Sequence, residues 1–217
     1  MRPKLDSVTM ELNKVNDMQN NLRKQARRYV GGNFDTAGKK QFDFLLEEGL
    51  KPEHSFLDIG CGNLRAGRYF IEYLDFRHYH GVDHNDWLIK SGIKYELSNE
   101  VHQNKKPVLL IDDDFKFFLF HSDFDYALAK SLFTHLTKDR IKQCLTNLYP
   151  VLKKDGVFFA SISIGRSDNN PSKDNDVGRF RYTVDEIKEL DPRWDVEDLG
   201  ARGTFIQHML KFTKIID

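Results

Sequence analysis

Residues 55–63, Ser-Phe-Leu-Asp-Ile-Gly-Cys-Gly-Asn, constrain this chain more than any other stretch. A short apolar run of strand character ends in two glycines one residue apart, and a helical pattern with Leu64, Phe70, Ile71 and Leu74 follows. A strand, a tight glycine turn and a helix, in that order, open a βαβ unit. In an open α/β sheet such a turn lies at the carboxyl end of its strand, where ligands bind near the topological switch point. Two glycines let the backbone turn sharply and approach a ligand closely, and the helix behind them offers its N-terminal amides. About 20 residues further on, the second strand ends in Asp83, placed as a ribose-binding carboxylate would be.

The rest of the chain repeats the alternation. Strand patterns at 78–82, 107–111, 124–129 and 156–164 are separated by helical patterns, one around Trp87 to Ile93 and a long one through Ile141, Cys144, Leu145, Leu148 and Leu152. Thr183 and Glu186 have capping-box spacing and predict a short helix through Ile187 and Leu190. Two further runs, 194–200 and 205–213, read as successive strands that close one sheet edge as a hairpin, one of them antiparallel. The expected fold class is α/β: a doubly wound, seven-stranded, mostly parallel sheet with an antiparallel C-terminal hairpin. Residues 1–32 are expected to be an N-terminal helical extension and 33–217 the main domain. In that extension Leu5, Val8, Leu12, Val15, Met18 and Leu22 recur at helical spacing and predict a stripe packed on the domain. The basic run 22–28 reads as solvated charge, with a nucleic-acid or membrane-surface arm as the other reading, and Gly31-Gly32 as a helix break and pivot, with the helix as a lid in preference to a dimerisation element.

Composition narrows the function classes. Basic and acidic residues balance at 33 each, which argues against a nucleic-acid-gripping surface. No apolar run approaches the ~20 residues of a membrane span, and the first residues lack a secretory apolar core. Cys61 and Cys144 stand alone, without a zinc pattern or disulfide framework. A cytoplasmic protein without a bound metal is therefore expected; the oligomeric state is left open.

The glycine turn does not complete a nicotinamide fingerprint, because Arg65 stands at the third glycine position. Asp58, two residues before the first glycine, occupies a position that is usually apolar in a dinucleotide fold. A carboxylate there suits a ligand with a cationic end, which points to S-adenosylmethionine. Together, FLDIGCGNLRAGRYF (56–70), YHGVDHN (79–85), IDDDF (111–115), FDYALAKSLFTHLT (124–137) and LKKDGVFFAS (152–161) resemble, in order and spacing, the successive motifs of class I SAM-dependent methyltransferases. The resemblance covers roughly residues 40–165 and implies the Rossmann-like methyltransferase fold.

It also implies roles. Asp58 and the backbone of Gly60, Cys61 and Gly62 would hold the methionine end of the cofactor, and Asp83, with His84 beside it, the ribose. Asp112 or Asp113 would face the adenine amino group, with Phe115 against the ring; a solvated turn is the other reading of that acidic run. Lys130, Ser131 and Leu132, after the fourth strand, would line the methyl-transfer pocket. Arg65, expected in a helix first turn where the dipole disfavours a cation, calls for an anion: a neighbouring acid, the cofactor carboxylate or substrate. His135 is the best-placed general base, with local hydrogen bonding as the other reading. Arg166 and Arg179 flank a polar loop and are the candidates for holding an anionic substrate. No Asn-Pro-Pro-Tyr type tetrapeptide occurs, which favours oxygen over nitrogen on a small-molecule or sugar acceptor. The competing classes are a non-catalytic scaffold on the same fold, a methyltransferase for macromolecules and, more distantly, a nucleotide-dependent oxidoreductase.

Overall fold

The computed structural model describes residues 4–176, 178, 180–201 and 207–215, the side chains of 4–12 aside. Its strands are β1 (Phe56–Ile59), β2 (Tyr79–Asp83), β3 (Val108–Ile111), β4 (Phe124–Ala129), β5 (Leu152–Ile162), β6 (Trp194–Asp198) and β7 (His208–Lys214). They form one seven-stranded sheet in the order β3-β2-β1-β4-β5-β7-β6. The first five run parallel, and β7 is antiparallel to both β5 and β6. The chain thus winds outward from β1 to β3 and returns to β4 on the other side of β1. The ends of β1 and β4 therefore mark the switch point. Among the described residues the helices are α1 (Lys4–Tyr29), α2 (Phe34–Glu47), α3 (Gly67–Tyr73), α4 (Asp86–Glu96), α5 (Asn99–Lys105), α6 (Lys138–Leu148) and α7 (Val184–Lys188). No described helix is long and apolar enough to cross a membrane.

Side chains alternate across a strand, so the central strands feed two cores. Leu57 and Ile59 of β1 join Ile141, Cys144, Leu145 and Leu148, the i, i+3, i+4, i+7 stripe of α6. Phe56 faces the other way, among Phe44 and Leu45 of α2, Phe70 of α3 and Ile89 of α4. Asp58 shares that face by parity and is carried into the same interior, 6 % exposed. The capping box at α7 forms as expected: Thr183 accepts from the Glu186 amide and the Glu186 carboxylate from the Thr183 amide.

Two expectations are corrected. α3 begins at Gly67, so Arg65 lies in the turn before the helix and not in its first turn. α1 does not dock through its apolar stripe in the described part, since Val15 and Met18 are exposed. Instead the supposedly solvated basic run holds it: Arg23 and Arg27 each donate twice to the Glu96 carboxylate at the end of α4. Residues 205 and 206, at the start of the last expected strand, lie outside the described residues.

Helix α2 presses directly on the glycine turn through Gly38. A Cβ there would stand 2.1 Å from the Arg65 carbonyl oxygen and 2.8 Å from its carbon, both backbone atoms that cannot swing aside. Gly38→Ala should therefore destabilise the fold by about 1–3 kcal/mol or more, read as a lower urea midpoint. An unchanged midpoint would contradict this packing.

Candidate cofactor site

After Ile59 the backbone turns through Gly60 and Gly62 at φ +77° and +54°. The Gly60 and Cys61 amides donate to the Val82 carbonyl at 2.8 and 3.0 Å, tying the turn to β2. Space is short as well as conformation: a Cβ on Gly60 would meet Leu132 at 3.3 Å, and one on Gly62 would meet Val30 at 3.1 Å. Side chains at either place would fill the mouth of the crevice. Cys61 turns the other way, its sulfur 3.1 Å from where a Cβ on Gly81 would stand, and burial pushes its thiol well up. Its side chain is a packing group beneath the loop.

Asp83 completes the turn. Its Oδ2 accepts from the Gly62 amide and its Oδ1 from the Asn85 amide, both at 2.8 Å. A carboxylate has about four acceptor positions, so two remain for hydroxyl donors. Burial raises its pKa, against the pull of the two amides. His84 is exposed beside it, Nδ1 at 3.7 Å from Asp83 Oδ1 and Nε2 at 3.8 Å from Asp176 Oδ1.

Asp58 accepts from the Tyr79 hydroxyl at 2.8 Å and does not cap the following helix. Burial pushes its pKa up to about 7, against the Tyr79 bond and the nearby Arg65 charge. Arg65 makes no salt bridge among the described residues. Its Nη1 donates to the Val30 carbonyl at 2.6 Å, at the end of α1, and burial lowers its pKa. Lys130 stands across the switch point, its pKa lowered to about 8 by burial and by Arg65. Its ammonium donates to Gln207 Oε1 at 2.7 Å and lies 3.3 Å from the Ser131 and Ser161 hydroxyls. Ser131 holds φ +62° there, a left-handed conformation costly for a residue with a side chain, with its amide donating to Ser161 Oγ at 2.7 Å. A buried acid and two part-buried cations thus lie close together at the switch point, an arrangement complementary to a zwitterion.

The other candidates distribute unevenly. Asp112 is a turn former: its Oδ2 accepts from the Asp114 and Lys116 amides. Asp113 is exposed, and its carbonyl takes the Arg140 guanidinium. Phe115 is buried against Phe117, with Arg140 stacked 4.8 Å from its ring centre. His135 ends a 3-10 turn after β4, and its Nδ1 meets the Asn175 carbonyl at 2.9 Å, so Nδ1 carries the proton and Nε2 is the acceptor. Nε2 lies near Gly178, whose φ of +75° and missing side chain give the ring room. Arg166 points to solvent and pairs with Asp168, away from the crevice. Arg179 lies outside the described residues. Sequence reasoning missed Val30, which covers Gly62, Tyr29 and Asp176, which meet beside His84, and Ser161 and Gln207, which hold Lys130. None carries a local motif; only long-range packing assembles them.

Residues 57–158 match the family described as "Methyltransferase domain". The fold is similar to magnesium protoporphyrin IX methyltransferase from Synechocystis PCC 6803, solved with bound SAM: TM-score 0.62, 11 % identity, 83 % of this chain and 79 % of that one. A TehB-like SAM-dependent methyltransferase from Corynebacterium glutamicum aligns over 93 % of this chain and all of its own, with TM-score 0.59 and 17 % identity. The glycopeptide N-methyltransferase MtfA gives TM-score 0.61 at 14 % identity, covering 82 % and 90 % of the two chains. At these identities the likeness establishes the fold.

The raised Asp58 pKa has a measurable sign. Between pH 4 and about 7 the folded protein binds a proton on Asp58 that the unfolded chain has lost, so stability falls as pH rises through this window. The ionised group costs about 4 kcal/mol at the upper end. In ligand-free protein, Asp58→Asn should gain melting temperature relative to wild type between pH 5 and 8. A pH-independent difference would contradict the burial of a carboxyl group at this position.

Proposed function

We propose that the chain, whose residues 57–158 match the methyltransferase domain, is a class I SAM-dependent methyltransferase that moves a methyl group by in-line displacement to a hydroxyl oxygen of a small-molecule or sugar acceptor, leaving S-adenosylhomocysteine. The observation that carries the cofactor assignment is the charge arrangement at the β1/β4 switch point. Asp58 lies beneath the glycine turn, Asp83 beside it and Arg65 against it. These residues fit the cofactor group by group. Asp58 suits the ammonium of the methionine end, Arg65 its carboxylate and the open acceptor positions of Asp83 the ribose hydroxyls. An ammonium beside Asp58 also restores the charge that burial suppresses, which favours the zwitterionic ligand over a dinucleotide. When bound, S-adenosylmethionine supplies a methyl group on a sulfonium with a good leaving group.

What remains for the protein is position and one proton. The left-handed Ser131 and the Lys130–Gln207–Ser161 network fix the turn after β4, beside which an acceptor would lie. Holding two reactants in line supplies much of the rate on its own. A hydroxyl acceptor also has a proton to lose, and His135 supports oxygen as the target. Its tautomer is set by the Asn175 carbonyl, which leaves Nε2 as base. Asp58, Asp83 and Arg65 stand together at the glycine turn, which supports an active enzyme over a scaffold.

Incubation with SAM and a panel of sugars and hydroxylated metabolites, followed by product detection, tests the acceptor class; methylation confined to amines or to a macromolecule would overturn it. With an acceptor in hand, His135→Gln should lower kcat about a hundredfold while leaving SAM affinity within a few-fold. A wild-type kcat would make His135 structural. Asp83→Asn should weaken S-adenosylhomocysteine binding about tenfold or more, through the loss of charge-assisted hydroxyl bonds. Unchanged affinity would remove the ribose assignment.

A further inference from the structure

The charged seat of α1 and the closure above the glycine turn belong to one device. At the base, the Glu96 carboxylate is buried, 1 % exposed, and receives four hydrogen bonds of 2.6–3.0 Å from Arg23 and Arg27. Asp35 adds ion pairs to Arg27 and Arg68, and the Arg27 guanidinium covers the Phe34 ring at 4.3 Å. At the far end the chain reaches the crevice. The Val30 carbonyl takes Arg65, and the Val30 side chain lies over Gly62. Tyr29 packs edge-on against Trp87, ring centres 5.9 Å apart, and its hydroxyl donates to Asp176 Oδ2 at 2.9 Å. Asp176 belongs to the loop after β5, and its other oxygen faces His84, which in turn faces Asp83. Two segments from opposite ends of the chain therefore meet above the acid assigned to the ribose.

We propose that α1 is a clasp on the cofactor site: anchored at Glu96, it carries Tyr29 and Val30 over the glycine turn, where Tyr29 locks onto Asp176, so that bound nucleoside exchanges only when the clasp opens. The inference rests on the SAM reading above and adds how cofactor enters and leaves. Tyr29 is a positioning residue, acting through Asp176 and His84. Opening is local. Among the described α1 side chains only Ala26 is fully buried, while Val15 and Met18 are exposed, so lifting this part of the helix breaks a few charged hydrogen bonds and uncovers little apolar surface. Gly31 and Gly32, at φ +98° and +65°, cap α1 and reverse the chain into α2, giving the moving segment a glycine boundary on the domain side.

Trp87, in contact with Tyr29, is an intrinsic reporter of the closed state. Stopped-flow mixing of the full-length protein carrying S-adenosylhomocysteine with excess SAM measures the release rate through its fluorescence. Glu96→Gln should speed release about tenfold, and Tyr29→Phe by roughly three- to tenfold, from the loss of hydrogen bonds to charged partners. Both variants should melt within a few degrees of wild type. Tyr29 is half-exposed and loses only its hydroxyl, so the second variant remains informative if the first is poorly folded. Wild-type release rates in Tyr29→Phe and in folded Glu96→Gln would overturn the clasp while leaving the cofactor assignment intact. A wild-type protein that does not bind S-adenosylhomocysteine would overturn the assignment itself, and the clasp with it.

Discussion

The bond from the Gly62 amide to the Asp83 carboxylate is the contact on which the site depends. It joins the end of β2 to a turn that has no regular secondary structure of its own, since α3 begins only at Gly67. With the amides of Gly60 and Cys61 on Val82, it fixes the turn in left-handed conformations that two glycines make accessible. Everything at the mouth of the crevice takes its position from that turn. Leu132 fits over Gly60, Val30 over Gly62, and Arg65 is delivered to the end of α1.

In the proposed function, electrostatics give this frame its selectivity. Strand parity sends Asp58 into the interior with Phe56, and burial then holds its proton up to about 7. Burial and the nearby Arg65 charge both disfavour the Lys130 ammonium, and burial disfavours the charge on Arg65. A ligand bearing both an ammonium and a carboxylate relieves these penalties together. Ligand binding and proton release at Asp58 are then linked, and the empty site is held in a less favourable charge state than the filled one.

The sheet was legible because its central strands are nearly continuous apolar runs, such as FDYALA at 124–129, bounded by turns and helical periods. The glycine turn, Asp58 and Asp83 were legible because close backbone approach and a strand-end carboxylate demand particular residues at particular spacing. Arg65 was not, since its partner is a backbone carbonyl 35 positions away that no pattern marks. The acidic run at 112–114 was ambiguous in sequence, and local turn chemistry took Asp112, whose carboxylate bonds amides two and four residues on. The stripe in α1 was read correctly as helical, but its described part, Val15, Met18 and Leu22, is not the docking face. Periodicity reports that a face is apolar, and Glu96, far off in the chain, decides which face is held.

The most direct test of the zwitterion-binding crevice is a calorimetric titration of the purified protein with S-adenosylmethionine, S-adenosylhomocysteine and NAD, each in buffers of different ionisation enthalpy. Micromolar binding of the first two, with proton release near pH 6.5 as Asp58 ionises, and no binding of NAD is the expected result. Absence of binding by either adenosyl compound at millimolar concentration would contradict the cofactor assignment and leave the fold as a scaffold.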